Sequence, residues 1–516
     1  MPQGAEDGVA LVMTPSCGRL ALFQIANPAR VDCMNRIVSA QRVATLVGDF
    51  PRSPAYVGLA ESLRVLIGDG RVGIGVRLPS ERDLTAALDV SRTTVTRAYE
   101  VLRESGYAEA RRGAGTFTTV PGGRRRAHDR SLLPGAGGDD VIDLNCAAHS
   151  APPGLVEAYQ RATEQLPAYL SGPGYFPLGV PALQARIAAA YEARGLPTVP
   201  EQVMVTAGAL AGASIVAQAF TAPGERVVVE SPTYPNATQA VRHAGARLVP
   251  AAVDPDGWDL DALAATLRQT SPRLAYLIPD FQNPTGHLMT DAQREELAGV
   301  LARTRTVVVA DEAHQALALS PGLAGSMPRP LAAYAGDAIT IGSASKAFWG
   351  GLRLGWVRAP LADMDRLVQA RIGLDLGAPV FEQLVLADLM DHADEVLPLH
   401  RERLLAGRDA LVAAVREHLP TWRFRVPDGG LALWCELPEP LGTATSAEAE
   451  RRGVVVAPGP VFAVEGGLDR HVRIPWTASP ERLTEAVRRL AAAWEHVGAD
   501  GAGPTTRNVA GRVMVA

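Results

Sequence analysis

From Val141 onward the chain alternates short apolar runs with amphipathic helical stretches: Val203–Val205, Arg226–Val229, Leu274–Ile278, Thr306–Ala310 and Ala338–Ile341. Strands that are apolar throughout need cover on both faces, and the long helical connections between them favour parallel neighbours. The pattern predicts an α/β body, a mainly parallel sheet between helices. Beyond Arg366 the chain is more helical, with a late β-rich part (Gly430–Glu436, Gly453–Val456, Val472–Ile474) that predicts a smaller α+β C-terminal subdomain. At 516 residues there is room for more than one domain, and 50 glycines and 39 prolines exclude an all-helical array. No apolar run approaches the ~20 residues of a membrane helix. Glu6 and Asp7 stand where a signal peptide carries basic residues, so a soluble cytoplasmic protein is expected, with no membrane partner. The four cysteines, at 17, 33, 146 and 435, have no CxxC spacing, which argues against a disulfide framework and against a metal site.

The N-terminal third reads differently. Residues 36–130 hold 16 arginines against 10 acids, whereas residues 131–516 hold 32 basic and 42 acidic residues. A basic block on an acidic body is the charge pattern of a nucleic-acid-binding module. Within it, Leu59, Leu63, Leu66 and Ile67 fall at helical spacing, and Gly68-Asp69-Gly70 stops that helix. Ser80, with Asp83 three residues on, caps a second helix in an Asp variant of the capping box. A third helix runs from Ser91 to Glu104; Val95, Ala98, Tyr99 and Leu102 form its core stripe, opposite Arg92, Thr93, Thr96 and Arg97. Tyr107–Ala110 and Thr116–Thr119 read as two strands around Arg111-Arg112-Gly113-Ala114-Gly115. Three helices and a basic hairpin make a winged helix-turn-helix. Small and basic side chains at the third helix's start (Ser91, Arg92, Thr93, Thr94) suit base edges and phosphates, with Arg82 and the wing's Arg112 and Gly113 flanking them.

The expected organisation is therefore a poorly ordered extension at 1–33, a winged-helix domain at 34–119, a Gly/Pro/Arg-rich linker at 120–140, the α/β body at 141–497 and a flexible tail at 498–516. Residues 56–119, notably LPSERDLTAALDVSRTTVTRAYEVLRESGYAEARRGAGTF, resemble the winged-helix domain of GntR-type bacterial regulators. That resemblance implies double-stranded operator DNA as partner. It also implies DNA contacts at Arg82, Ser91, Arg92, Thr93, Thr94 and Gly113.

In the body one residue stands apart. Of 50 basic residues only one is lysine, Lys346, in Gly342-Ser343-Ala344-Ser345-Lys346 directly after an apolar strand. Arg is permanently protonated and forms no imine; a Lys amine can lose its proton and form one. Arg353 follows seven residues later, so an amine, two hydroxyls and a guanidinium are placed to hold an aldehyde-bearing phosphate. Thr206-Ala207-Gly208-Ala209-Leu210 joins a strand to a helix, where the N–H groups of Ala209 and Leu210 can cradle a phosphate. Tyr234 in Ser231-Pro232-Thr233-Tyr234-Pro235 offers a stacking face, Asn283-Pro284-Thr285-Gly286 an amide at a tight turn, and Asp311 a strand-end carboxylate for a ring nitrogen.

Taken in order, these segments resemble pyridoxal-phosphate (PLP) enzymes of the aspartate-aminotransferase fold, fold type I, over about residues 141–497. The resemblance implies an imine between PLP and Lys346, with Asp311 on the ring nitrogen, Asn283 on the ring hydroxyl, and Ser343, Ser345 and Arg353 on the phosphate. It further implies Arg473 as the grip on a substrate or effector α-carboxylate. Tyr175 would be delivered from a partner subunit, hence a homodimer. Two departures stand out: His314 replaces a tyrosine that often bonds the ring oxygen, and Ala209 and Leu210 leave only backbone donors in the phosphate turn. A GntR-type winged helix followed by this body resembles the MocR subfamily of regulators, which implies DNA binding that senses PLP or an amino compound. The alternative is a catalytically active aminotransferase carrying a DNA-binding appendage.

Overall fold

The computed structural model describes residues 38–68, 72, 75–111, 113–119 and 141–499. The expected extension at 1–33, the linker at 120–140, Arg112 and residues 500–516 lie outside the described residues.

In the first module, α1 (Ala40–Val47) opens on Ser39, whose hydroxyl accepts from Arg42 N–H. Then come α2 (Ala55–Gly68), α3 (Glu81–Leu88) and α4 (Arg92–Glu104). Ser80 caps α3 through the Asp83 N–H, but Asp83 completes the motif by accepting from the Ser80 hydroxyl at 2.7 Å. Asp89 ends α3 in the left-handed region at φ 51°, so the chain turns at once into α4. Leu59, Leu63 and Ile67 of α2, Leu84 of α3, and Val95, Ala98, Tyr99 and Leu102 of α4 are buried together. At ~1.5–3 kcal/mol per large apolar side chain, that core supplies most of the module's cohesion. Tyr99 also donates to Pro79 O at 2.9 Å, pinning the chain just before α3. Strands β1 (Ala108–Arg111) and β2 (Gly115–Thr118) pair antiparallel with Arg111 opposite Gly115, and Gly113 turns between them at φ 75°.

The body begins with β3 (Ile142–Asp143), α5 (Leu155–Gln165) and α6 (Pro181–Ala193). Its main sheet is built from β4 (Val203–Thr206), β5 (Arg226–Ser231), β6 (Arg247–Asp254), β7 (Gly257–Trp258), β8 (Leu274–Leu277), β9 (Val307–Asp311), β10 (Ile339–Ser343) and β11 (Gly355–Arg358). Their order is β4-β11-β10-β9-β8-β5-β6-β7, with β6, β5, β8, β9 and β10 mutually parallel and β11 antiparallel to both its neighbours. Helices α7 (Ala209–Phe220), α8 (Pro235–His243), α9 (Leu260–Thr270), α10 (Asp291–Thr304), α11 (Leu361–Ile372) and α12 (Val380–Asp391) connect and cover it, with apolar clusters on both faces.

The 26-residue α13 (Ala393–His418) leads into a subdomain of β12 (Ala432–Glu436), α14 (Gly442–Arg451), β13 (Val454–Val455), β14 (Ala457–Pro458), β15 (His471–Pro475) and α15 (Pro480–Ala499). It has its own core. The predicted tail at 498 starts too early, because α15 continues to Ala499. β3 pairs parallel with β13, so the first residues of the body belong to the subdomain's edge.

Of the strands longer than two residues, two escaped the sequence reading. β6 contains Pro250, a residue that argues against a strand away from a sheet edge. β11 starts at the end of the glycine-rich run Gly350-Gly351-Leu352-Arg353-Leu354-Gly355-Trp356, which reads as a loop around Arg353.

Candidate functional site

The residues expected to meet DNA and those expected to hold a cofactor form two constellations. In the first, Ser91 is the N-cap of α4: its hydroxyl accepts from Thr94 N–H at 3.1 Å and bonds the Thr93 and Thr94 hydroxyls at 2.7 and 2.8 Å. Arg82, Arg92, Thr93 and Arg97 are exposed. Glu81, which the sequence reading passed over, accepts from the Thr96 hydroxyl at 2.8 Å and stands 3.6 Å from Arg92 Nε. It thus ties α3 to the recognition helix. Arg97 pairs with Glu100 at 3.1 Å and lies over the Tyr56 ring. Gly113 sits in open space with its left-handed backbone.

The second constellation forms at the C-terminal ends of the parallel strands, where open α/β sheets place ligands. β10 runs beside β9 with Ile341 opposite Asp311, so the turn after β10 stands next to that carboxylate. Lys346 lies on this turn, a π-helical segment Ser345–Trp349. Its Nζ donates to Ala147 O at 3.0 Å. Burial pushes the ammonium down to about 8; Cys146 and Asp311 oppose this shift, while Arg473 and Arg353 add to it.

Asp311 is buried. It accepts from the Tyr276 hydroxyl at 2.5 Å and from Ala313 N–H at 2.9 Å. Burial raises its pKa, and the two donors hold part of that rise back. Tyr276 was missed because it lies in the otherwise aliphatic run Leu274–Ile278 and reads as core.

On the phosphate side, β11 lies against β4 with Gly355 opposite Thr206. A Cβ on Gly355 would stand 2.5 Å from Ala209 N, so only glycine lets the strand approach the start of α7. A Cβ on Gly208 would meet Arg353 Nη2 at 3.1 Å, which places that guanidinium against the Gly208 turn that leads into α7. Ser343 Oγ accepts from Ser345 N–H at 3.2 Å.

On the ring side, Asn283, His314, Ala147, Phe281 and Arg473 line one small recess. His314 is buried, and its Nδ1–H faces Phe281 O at 3.0 Å. A carbonyl only accepts, so the neutral ring presents a bare Nε2 to the site. Burial holds its pKa at about 4. His314 is therefore an acceptor where a tyrosine hydroxyl would donate.

Arg473 is fully buried. It donates to Asn283 Oδ1 at 3.2 Å and to Asn145 O at 2.5 Å. Among the described residues no carboxylate pairs with it, and burial lowers its pKa only to about 10, so it stays charged at neutral pH. Tyr234 accepts from Asn236 Nδ2 at 3.0 Å. Buried Glu230, also missed, accepts from Trp258 Nε1, Ile278 N–H and Gln282 Nε2 at 2.7, 3.2 and 3.0 Å. Gln282 donates as well to Pro232 O, so one side chain joins the Tyr234 turn to the Asn283 turn. Tyr175 is 64% exposed, on the chain segment 170–178.

The residues fit PLP: a helix N-terminus under an arginine for a phosphate, a buried carboxylate for a ring nitrogen, an amine for an aldehyde. That fit rests on the close approach that Gly208 and Gly355 permit and on the buried Asp311.

A family model for aminotransferase class I and II matches residues 148–490, and one for bacterial regulatory proteins of the gntR family matches residues 55–118. The chain belongs to the class I and II aminotransferase family and, with the gntR module joined ahead of it, to the MocR-type GntR regulators. Three comparisons illustrate this. It is 30% identical to the probable rhizopine catabolism regulatory protein MocR of Rhizobium meliloti, over 72% of this chain and 78% of that one. It is 28% identical to the uncharacterized HTH-type transcriptional regulator YdcR of Escherichia coli, over 84% and 98%. Among solved structures, LysN, the α-aminoadipate aminotransferase of Thermus thermophilus complexed with N-(5'-phosphopyridoxyl)-L-leucine, matches with TM-score 0.63 and 30% identity, over 72% and 95%. The protein is thus a GntR-type regulator fused to a PLP-binding, aminotransferase-like domain. No described helix is long and apolar enough to cross a membrane.

Proposed function

We propose that this regulator holds PLP at Lys346, binds operator DNA as a homodimer, and changes its grip on DNA when an amino compound engages the pocket. Bound PLP supplies an electrophilic carbon and an electron-withdrawing ring. Asp311, kept in place by Tyr276, faces the ring nitrogen; Asn283 and His314 face the ring hydroxyl, and Tyr234 supplies a ring face. Ser343, Ser345, Arg353 and the Ala209 and Leu210 N–H groups hold the phosphate. The lowered pKa of Lys346 leaves a useful fraction of free amine near neutral pH.

Arg473 selects the effector. A buried guanidinium with only neutral partners favours an incoming carboxylate, which suits an amino acid. The homodimer is supported by exposed apolar residues around the segment that carries Tyr175: Leu170, Ile372, Leu374 and Leu376 are each about half exposed or more. Gly377 packs directly on the Phe176 backbone, which joins those two stretches into one patch. On the DNA side, Arg92, Thr93, Thr94, Thr96 and Arg97 face the groove from α4, with Arg82 and Gly113 at its flanks; Arg112, the sequence neighbour of Gly113, is assigned to the same contact. The domain divisions at 34–119 and, with α15 included, 141–499 go with this reading.

The observation that carries the proposal is the meeting of the chain's only lysine with buried Asp311 and carboxylate-free Arg473 in one pocket. Borohydride reduction of the PLP-treated protein, followed by mass mapping, is expected to put a phosphopyridoxyl increment on Lys346. Absence of that increment, with no visible absorbance, rejects the reading. Retention of a buried Asp311–Tyr276 pair beside a reactive amine favours a second reading, slow transamination, tested by multiple turnover with an amino donor and a keto acid.

A further inference from the structure

The segment that follows the interdomain linker runs straight into the pocket. Val141 O accepts from Arg482 at 2.9 Å, and Ile142 and Asp143 pair with Val454 and Val455. Asn145 O then accepts from Arg473, Ala147 O accepts from Lys346 Nζ at 3.0 Å, and His149 Nε2 reaches Lys346 O at 2.9 Å. Within nine residues this segment meets the subdomain edge and two of the site's cations, Lys346 and Arg473.

The last contact is doubled. His400 of α13 places its own Nε2 3.1 Å from the same Lys346 carbonyl, and the two imidazoles lie against each other with centroids 3.8 Å apart, tilted by 48°. Burial lowers the pKa of both rings; His400 falls to about 3, with His149 and Arg403 adding to the effect. Each neutral ring carries one N–H, and the carbonyl has two lone pairs to receive them. His149 has a further acceptor, since its Nδ1 lies 2.8 Å from Ser150 O. One N–H facing two carbonyls can serve Lys346 or Ser150 but not both. The ring thus offers two discrete arrangements, which is what a coupling element requires.

We propose that His149 and His400 are positioning residues for Lys346, and that their clasp on its carbonyl makes residues 144–149 the element that passes engagement of Lys346 and Arg473 to the chain arriving from the winged helix. A ligand that takes a donor from Lys346 Nζ or Arg473 Nη2 competes with Ala147 O or Asn145 O for it. The strand that loses those donors is continuous with the linker. This rests on the reading of the pocket above and adds the route by which the pocket is heard.

The test uses the full-length chain, PLP as probe, and a DNA duplex that the protein itself selects from a random library. In the native chain PLP is expected to shift DNA affinity about tenfold, within the ordinary range of allosteric coupling, and to alter hydrogen exchange at amides 142–149. His149→Ala is expected to keep the borohydride-trapped adduct at Lys346 and lose the DNA shift. His149→Gln, whose amide can donate from nearly the place of Nε2, is expected to restore it. A His149→Ala chain with the full shift overturns the proposal. If that variant misfolds, the native chain still decides: a PLP-dependent DNA shift with no change at amides 142–149 overturns it as well. Failure of the underlying reading looks different, because the native chain would then carry no adduct at all.

Discussion

The two ends of this molecule use arginine in opposite ways. On the recognition helix, Arg92 and Arg97 are exposed, and their partners, Glu81 at 3.6 Å and Glu100 at 3.1 Å, hold them loosely. Exposed pairs of this kind are worth ~0–1 kcal/mol, so either arginine can leave its carboxylate for a phosphate or a base at small cost. In the body, Arg294 and Arg371 are fully buried and fixed, Arg294 on Asp280 at 2.6 Å and Arg371 on Asp375 at 2.8 Å. Arg473 is just as buried, yet only neutral groups receive its donors. The recognition helix keeps its cations exposed, in pairs that are easily exchanged. The pocket instead keeps one cation deliberately short of a counter-charge.

That contrast can be broken at several points. The largest effect belongs to Lys346→Ala, which is expected to abolish the borohydride adduct and remove any ligand dependence of DNA binding, while winged-helix binding itself survives in a gel-shift assay. Arg473→Met should leave PLP attachment intact but weaken the response to an α-amino acid by ~2–5 kcal/mol, read from spectral titration with L-alanine as probe. An unchanged titration would move the carboxylate grip elsewhere. Arg92→Ala should weaken specific DNA binding by ~1–3 kcal/mol and relax preference at one base position; a uniform loss across sequences would mark a phosphate contact instead. Ser91→Ala removes the α4 cap and should lower the module's stability by ~1 kcal/mol in urea melts. A pH series sharpens the pocket side. With the Lys346 ammonium held at about 8, the rate of PLP attachment should rise about tenfold from pH 6 to 7 and level off above 8, as neutral amine replaces ammonium. An ordinary lysine would still be rising there.

Much of this was legible in the chain because local chemistry and global fold agree. Helix caps at Ser80 and Ser91, the aliphatic strands of the main sheet, and a lone lysine after one of them are all short-range patterns. Tyr276, Glu230, His149 and His400 were not legible. Each lies in a segment whose local pattern says core or loop, and each acquires its role from a partner far away: Tyr276 from Asp311, His149 and His400 from the Lys346 carbonyl. Glu81 was hidden for a related reason, since its capping-turn position explains it until α4 packs against it. β6 was lost to its proline, and β11 to the glycines that make it read as a loop.

Lys346 has one more consequence. Because it is the chain's only amino side chain and its Nζ is already engaged with Ala147 O inside the pocket, an acylating dye has one internal target besides the N-terminal amine. Its labelling half-time becomes a direct gauge of how often the cleft opens. That gauge works on the untagged native protein and for any molecule that competes for entry.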